Sequence, residues 1–324
     1  MQTKLEITPR TILLFFLILG GIWLFIEVRD ILQLLFIAII FMSALRPSVD
    51  QLERMHISRT LAIFLLYGIV ISLISGFVTL IFPPLLSESV KLLTHLPQYF
   101  QEVPPFINLN PDTFMQQIAP FTQNVARVTV GVFSNIITVF TLAVFTFYFL
   151  LERNNLTEFL AMFIGPELGQ KTVEIVKKAE VRLGGWVRGQ LLLGLIIGMA
   201  CYLGLVFLGI SYALPLALIA GILEMVPIIG PIISAIPAVL VGLTISPETA
   251  FAVVALYFVV QQLENNLIVP IVMKKAVGIP PLASLLALMI GGKLAGVMGV
   301  VLSIPILLVV QTVIQEITVK QNKT

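Results

Sequence analysis

The sequence has little charge and few of the residue types that build a soluble catalytic centre. Of its 324 residues, 11% are charged and 58% are hydrophobic. Soluble domains carry roughly 25% charge, and the mean hydropathy of this chain is +1.06. The composition therefore predicts a polytopic membrane protein. The net charge of +2 is too small to indicate a nucleic acid partner.

Several chemistries are absent from the sequence. A single cysteine, Cys201, excludes an intrachain disulfide. There is no Gly-rich phosphate loop ending in GK[ST], which argues against ATP-driven transport by this chain alone. There is no HExxH motif and no Cys/His cluster, and neither histidine, His56 nor His95, lies in a predicted span. The sequence predicts a protein that is not an enzyme and has no cofactor or metal.

The N-terminal residues 1–82 are predicted to form membrane helices. The apolar runs Thr11–Ile26 and Ile31–Leu45 are separated by charged residues, and each is shorter than the roughly 20 residues that cross a bilayer. They are therefore predicted as two short spans or a hairpin. Arg46–Arg59 is predicted as a cytoplasmic loop, and Leu61–Phe82 as a full span.

The distribution of Lys and Arg predicts the sidedness of the rest of the chain. The proline-rich residues 83–129 carry few positive charges and are predicted as an extracytoplasmic amphipathic segment, followed by a membrane helix at 130–151. Residues 152–190 are rich in Lys and Arg and are predicted to lie at the cytoplasmic face. Residues 191–319 form the predicted transport core, and 320–324 a tail, with both termini cytoplasmic.

Two apolar segments of the core, 214–245 and 276–318, are interrupted by Gly and Pro. Paired, interrupted segments are typical of transporter binding sites. They are predicted as re-entrant hairpins that enter from opposite sides, as an inverted repeat, although two tight crossings would give the same sidedness. The predicted fold is all-α, with about 7–8 membrane segments.

Polar residues within this core are the candidate site. A shift of 69 aligns Glu224 with Lys293, which predicts an ion pair near the midplane unless each side chain reaches water separately. Polar residues in the span Phe251–Ile271 indicate a substrate or ion path, or a hydrogen-bonded helix contact. Arg188 and Gln190 are candidates for a gate or an anchor. The predicted path consists of Glu224, Pro227, Gly230, Pro231, Gln261, Gln262, Glu264, Asn265, Asn266 and Lys293.

Three blocks of sequence resemble one family. Ile222–Leu243, ILEMVPIIGPIISAIPAVLVGL, resembles the acid-x-(I/V)-P-x-x-G-P block of the AI-2E (autoinducer-2 exporter) family. Val187–Gly198 is similar to its RGQ block, and Gln261–Pro305 to its C-terminal signature. The motif acid is Glu224, at a position where Asp is common in the family.

The resemblance implies a multi-pass inner- or plasma-membrane transporter that contacts lipid and forms a homo-oligomer, with a pentamer as the expected assembly. It also implies an elevator-like or rocking movement. The function predicted first is export of a small polar solute such as an autoinducer-2-like signal. The alternatives are Na⁺(Li⁺)/H⁺ antiport and, in another class, a non-transporting oligomeric membrane scaffold.

Overall fold

The three-dimensional structure, a computed structural model, describes residues 9–80, 83, 87, 136–164, 166–227, 229–273 and 278–321. Nearly all of the predicted extracytoplasmic segment 83–129, with His95, lies outside the described residues, as do residues 322–324. Every regular element within the described residues is helical, as predicted. In chain order these elements are α1 (Pro9–Glu27), α2 (Arg29–Arg54), α3 (Arg59–Leu80), α4 (Ile136–Ile164), α5 (Pro166–Phe207), α6 (Ala213–Leu223), α7 (Ile229–Ile245), α8 (Pro247–Leu263), a π-helical segment (Glu264–Ile268), α9 (Val269–Val272) and α10 (Pro281–Gln321).

Many of these helices have the length and composition of membrane spans. Within the described part of the chain, five candidate spans are Arg29–Arg54, Arg59–Phe77, Leu168–Phe207, Pro247–Val272 and Pro281–Thr318. Shorter apolar helices include Ala213–Leu223 and Ile229–Leu243. The chain is an all-α, polytopic membrane protein.

The N-terminal region differs from the prediction of two separate short spans or a hairpin. Helical hydrogen bonds run through the junction of α1 and α2, from Val28 N to the Leu24 carbonyl and from Leu32 N to the Val28 carbonyl, each at 3.0 Å. The charged residues therefore flank a local irregularity at Val28, where α1 ends and α2 begins, and the chain does not form a hairpin loop there. The predicted loop 46–59 is also mostly helical, because α2 continues through Pro47 to Arg54.

Helix α5 contacts α2 closely at the proline inside α2. Pro47 has no N–H for the carbonyl of Ser43, four residues earlier. Arg188 Nη1 on α5 approaches this carbonyl at 3.4 Å and donates to the Ala44 carbonyl at 2.9 Å. A Cβ atom at Gly184 would overlap the Ser43 carbonyl oxygen, so only glycine permits this approach. Arg188 therefore joins α5 to α2 beside Pro47.

Helices α5 to α8 enclose the main apolar core, whose fully buried members include Leu205, Leu216, Val241 and Val253. At the crossing of α5 and α6, a Cβ atom at Gly194 would lie 2.6 Å from the Gly221 carbonyl oxygen. Small residues at this crossing bring the two backbones together, as is usual between helices in lipid. This core positions the break between α6 and α7.

The first predicted break is present between α6 and α7. In a continuing helix the Leu223 carbonyl would pair with residue 227, but Pro227 has no N–H. The carbonyl accepts instead from Val226 N at 2.9 Å, which tightens the turn. A Cβ atom at Gly230 would overlap the same carbonyl oxygen, so glycine lets α7 begin close to the end of α6.

The second predicted break divides α10 at Ala295 and Gly296, where Gly296 has a φ of +58°. Ser303 Oγ donates to the Ala287 carbonyl at 2.8 Å. These residues are sixteen apart, a separation of about 24 Å along a straight helix. The two arms of α10 therefore fold back on each other, with Gly291 and Gly299 in backbone contact.

We expect Gly299→Ala to destabilise this hairpin, because the added Cβ atom would overlap the Gly291 carbonyl oxygen. Overpacking of this kind costs about 1–3 kcal/mol, which should lower the thermal unfolding midpoint in detergent. The control is Gly68→Ala in α3, where a Cβ atom has no neighbour within 4 Å. Equal midpoints for the two variants would contradict the close contact between the arms.

Candidate functional site

Two acidic side chains meet where α6 ends and the π-helical segment begins. Glu224 is 2% exposed and Glu264 is 6% exposed, and their carboxyl groups interact directly. Gln261 Nε2 donates to Glu264 Oε2 at 2.8 Å. The structure therefore brings together three of the predicted site residues, from two different parts of the core.

The π-helical segment begins within the predicted polar cluster, at Glu264. Pro270, at the start of α9, cannot donate to the carbonyl of Asn266, which favours a local widening of the helix. Such π-turns are frequent at functional sites. The wider turn begins at Glu264, so the second acid lies at an irregular point of its helix, as Glu224 does.

The break after α6 is held by α5. The side chain of Gln190 donates through Nε2 to the main-chain carbonyl of Glu224. This carbonyl lies at the end of α6, where the helix no longer supplies a regular donor. Gln190 is therefore a positioning residue that ties the break to α5.

One oxygen of the acid pair is left without a donor. Glu224 Oε2 is buried and has no hydrogen-bond donor within the described residues. Two buried carboxylates in contact repel each other, and burial adds to the cost of their charge. A proton shared between the carboxyl groups, or a bound cation, would remove both penalties.

A cavity of about 280 Å³ lies beside the acid pair, between α5, α6, α7 and α8. Its lining is mainly apolar and includes Pro231, Ser234, Tyr257 and Gln261. Cys201 also lines the cavity. Gln261 both lines the cavity and donates to Glu264, so the cavity adjoins the acid pair.

The remaining predicted path residues are exposed or lie at the break between α6 and α7. Lys293 is exposed and forms no ion pair with Glu224, so the predicted pair is wrong, because the partner of Glu224 is Glu264. Gln262, Asn265 and Asn266 are exposed, and Asn266 Nδ2 donates to the Gln262 carbonyl at 2.9 Å. Pro227 and Gly230 lie in and beside the break.

Sequence reasoning missed a buried ionic cluster away from this site. Glu180 Oε2 accepts from Arg153 Nε and from Arg46 Nη1, each at 2.8 Å. Glu180 is 5% exposed and Arg153 is 6% exposed. The available signal was an acid within the basic stretch of α5, but its partners lie 27 and 134 residues away in the chain.

Comparison with known proteins agrees with this architecture. Residues 12–319 match the model of the AI-2E family transporters. Over 289 residues the chain is 29% identical to "Putative transport protein YueF" of Bacillus subtilis (strain 168), covering 82% of this chain and 78% of that protein. It is 26% identical over 311 residues to "Sodium-lithium/proton antiporter" of Halobacillus andaensis, covering 85% of this chain and 86% of that protein.

A third relative is "Putative transport protein YrrI" of Bacillus subtilis (strain 168), 27% identical over 315 residues, with 91% of this chain and 89% of that protein covered. The family is one of transporters and not of enzymes, which agrees with the apolar helices and the broken segments. From the match over nearly its whole length, the chain belongs to the AI-2E transporter family, and its role is in membrane transport.

Proposed function

We propose that the chain is a secondary transporter that exchanges protons for a monovalent cation, Na⁺ or Li⁺, at Glu224 and Glu264. The observation that carries this proposal is the contact of two buried carboxyl groups, one of which has an oxygen without a donor. A proton or a small cation can each compensate the repulsion, but binding of one disfavours the other. Competition for one site is the simplest basis for exchange.

The surroundings of the acid pair support cation binding. Irregular helix segments at membrane depth expose backbone carbonyls that coordinate Na⁺ in other transporters. Here the break after Leu223 and the π-turn at Glu264 adjoin the two carboxyl groups. The similarity to a protein named as a sodium-lithium/proton antiporter favours these cations over others.

The movement in this proposal is elevator-like, with the two broken segments as re-entrant hairpins of an inverted repeat. Matching glycines support the repeat. Gly230 and Gly299 are 69 positions apart, and each allows a neighbouring carbonyl, from Leu223 or Gly291, to approach where a Cβ atom would overlap it. Each hairpin is thus held by close backbone contact and would move as a unit.

Export of a small polar solute, such as an autoinducer-2-like signal, is the second candidate. The cavity of about 280 Å³ beside the acid pair favours it, since it offers room for a small molecule next to Ser234 and Gln261. In this version the acid pair supplies the proton coupling. The two candidates differ in what moves against the proton.

The proposal places the transporter in the cell membrane as a homo-oligomer, with a pentamer as the expected assembly and with both termini in the cytoplasm. Gln262, Asn265 and Asn266 are exposed on one protomer. Polar side chains at membrane depth are costly in contact with lipid. A neighbouring copy or a water-filled path would satisfy them.

Flux measurements on the full chain in proteoliposomes test the proposal. With an acidic interior reported by a pH-sensitive dye, external Na⁺ or Li⁺ should raise the internal pH, whereas K⁺ serves as the comparison cation. A panel of labelled small polar solutes tests the second candidate in the same vesicles. Vesicles that transport neither cations nor solutes would contradict both candidates and favour the membrane scaffold.

A further inference from the structure

A second cavity, of about 470 Å³, lies between α2 and α5. It shares no lining residue with the cavity beside the acid pair. Charged side chains dominate its lining. Those that matter here are Arg46, Asp50, Arg54, Glu180 and Arg188. We refer to this cavity as the arginine recess.

The acidic groups of the arginine recess are already compensated. Glu180 Oε2 is bound by Arg46 Nη1 at 2.8 Å and by Arg153 Nη2 at 2.7 Å. Asp50 lies 3.3 Å from Arg46 Nε and 3.8 Å from Arg59 Nη1. Arg59 Nη1 also pairs with Glu53 at 3.1 Å, so three carboxylates share three arginines.

Two further arginines add positive charge to the recess. Neither Arg54 nor Arg188 forms an ion pair with a carboxylate of the described residues. Arg54 is exposed, and Arg188 uses Nη1 for main-chain carbonyls of α2. The remaining guanidinium donors of both are directed at no acid, so the recess carries an excess of positive charge.

The spacing of these arginines indicates the shape of a ligand. Arg188 contacts the Ala44 carbonyl, and Arg54 lies ten residues further along α2. Ten residues correspond to about 15 Å of helix. Both side chains line the same cavity, so a ligand with two anionic groups could engage one arginine with each group.

We propose that the arginine recess binds a phosphate-bearing anion with two anionic groups, one at Arg188 and one at Arg54. The planar guanidinium forms paired hydrogen bonds with phosphate oxygens, which favours phosphate over a simple monovalent anion. This site is separate from the acid pair, and the inference does not depend on cation exchange.

Two sources of this chemistry fit the recess. A soluble diphosphate could enter from the aqueous side. A lipid with two phosphates could also bind, because apolar residues flank the charges: Val181 lines the recess and is 67% exposed, and Leu191, just beyond Arg188 on α5, is 60% exposed. Basic pockets between membrane helices bind such head groups elsewhere.

The test uses the purified full chain and two probes. Inorganic pyrophosphate binding is measured by titration calorimetry in detergent. Cardiolipin retention is measured by native mass spectrometry after release from nanodiscs, with phosphatidylcholine as the comparison lipid. We expect Arg54→Gln to weaken binding of at least one probe by about tenfold, the effect of losing one charge-assisted contact.

Two further variants separate ligand binding from folding and from general charge. Arg29→Gln removes an equally charged residue whose side chain is 63% exposed and pairs only with Asp30 in the described residues. It should bind both probes as the wild type does. Arg188→Lys keeps the charge but loses the planar guanidinium that forms paired hydrogen bonds. It should bind the probes more weakly than the wild type while remaining monodisperse on size exclusion.

Each outcome decides the inference. Loss of pyrophosphate binding in Arg54→Gln supports a soluble ligand, and loss of cardiolipin retention alone supports a lipid head group. The inference is overturned if the wild type binds neither probe, or if Arg29→Gln and Arg54→Gln weaken binding equally. Cation exchange in proteoliposomes can succeed or fail independently of these results.

Discussion

Replacing Glu224 by Gln should abolish cation-driven pH change in proteoliposomes, reducing it to the level of protein-free vesicles. The amide keeps the size of the side chain but removes the group that carries the proton or cation. Glu264→Gln should have the same effect, because the two carboxyl groups form one site. The measurement is dye fluorescence after addition of Na⁺ or Li⁺ to vesicles with an acidic interior.

The matched control for this prediction is Glu248→Gln. Glu248 lies on α8, the helix that leads to Glu264, but it is exposed at the start of that helix. The Glu248→Gln variant should exchange cations like the wild type. The Glu224→Asp variant should retain part of the exchange activity, because it keeps the negative charge. Exchange by Glu224→Gln at the wild-type rate would refute the acid-pair site.

The same variants distinguish the two transport candidates. If the protein exports a small polar solute, Glu224→Gln should keep solute flux down its gradient but lose the dependence of that flux on pH. If it exchanges cations, Glu224→Gln should lose all measurable flux. Both measurements use the same vesicles and differ only in the species, solute or cation, whose flux is followed.

The second large effect is expected for Glu180→Gln. This change removes the carboxylate that binds both Arg46 and Arg153 and leaves two cationic side chains near each other, one of them 6% exposed. Breaking a buried ion pair by removing one partner costs about 3–5 kcal/mol. The thermal unfolding midpoint of the purified protein should fall markedly, and the yield of folded protein with it.

Glu174→Gln provides the comparison on the same helix. Glu174 pairs with Lys178 at 3.0 Å, and both side chains are about half exposed, at 52% and 46%. Exposed pairs contribute little to stability, so this midpoint should stay close to that of the wild type. If both variants lowered the midpoint equally, the ionic cluster would not have the structural role assigned to it.

The main features of the fold follow from local patterns in the sequence. Pro227 removes a helix donor and Gly296 adopts a positive φ, and both signals identify interruptions within long apolar segments. The helix that begins at Pro166 follows from the same local chemistry. Glu224 and Glu264 are conspicuous because acids are rare in apolar helices.

What could not be predicted is which distant residues meet. Repeat alignment pairs Glu224 with Lys293, but the contact of Glu224 with Glu264 depends on how α6 and α8 each pack against α5 and α7. Asn265 is exposed although its neighbour Glu264 is buried, and which of the two is covered depends on packing against distant parts of the chain. The charges at 27–30 predict two short spans or a hairpin, whereas helical hydrogen bonds continue across Val28 between α1 and α2.

Cys201 has a practical consequence for the study of transport. It is the single cysteine of the chain, is 1% exposed, and lines the cavity beside the acid pair. A thiol reagent therefore has one target, and it reaches that target only when the cavity opens. The rate of labelling in unmodified protein would report how often this cavity becomes accessible to the reagent, and from which side of the membrane, without any engineered probe.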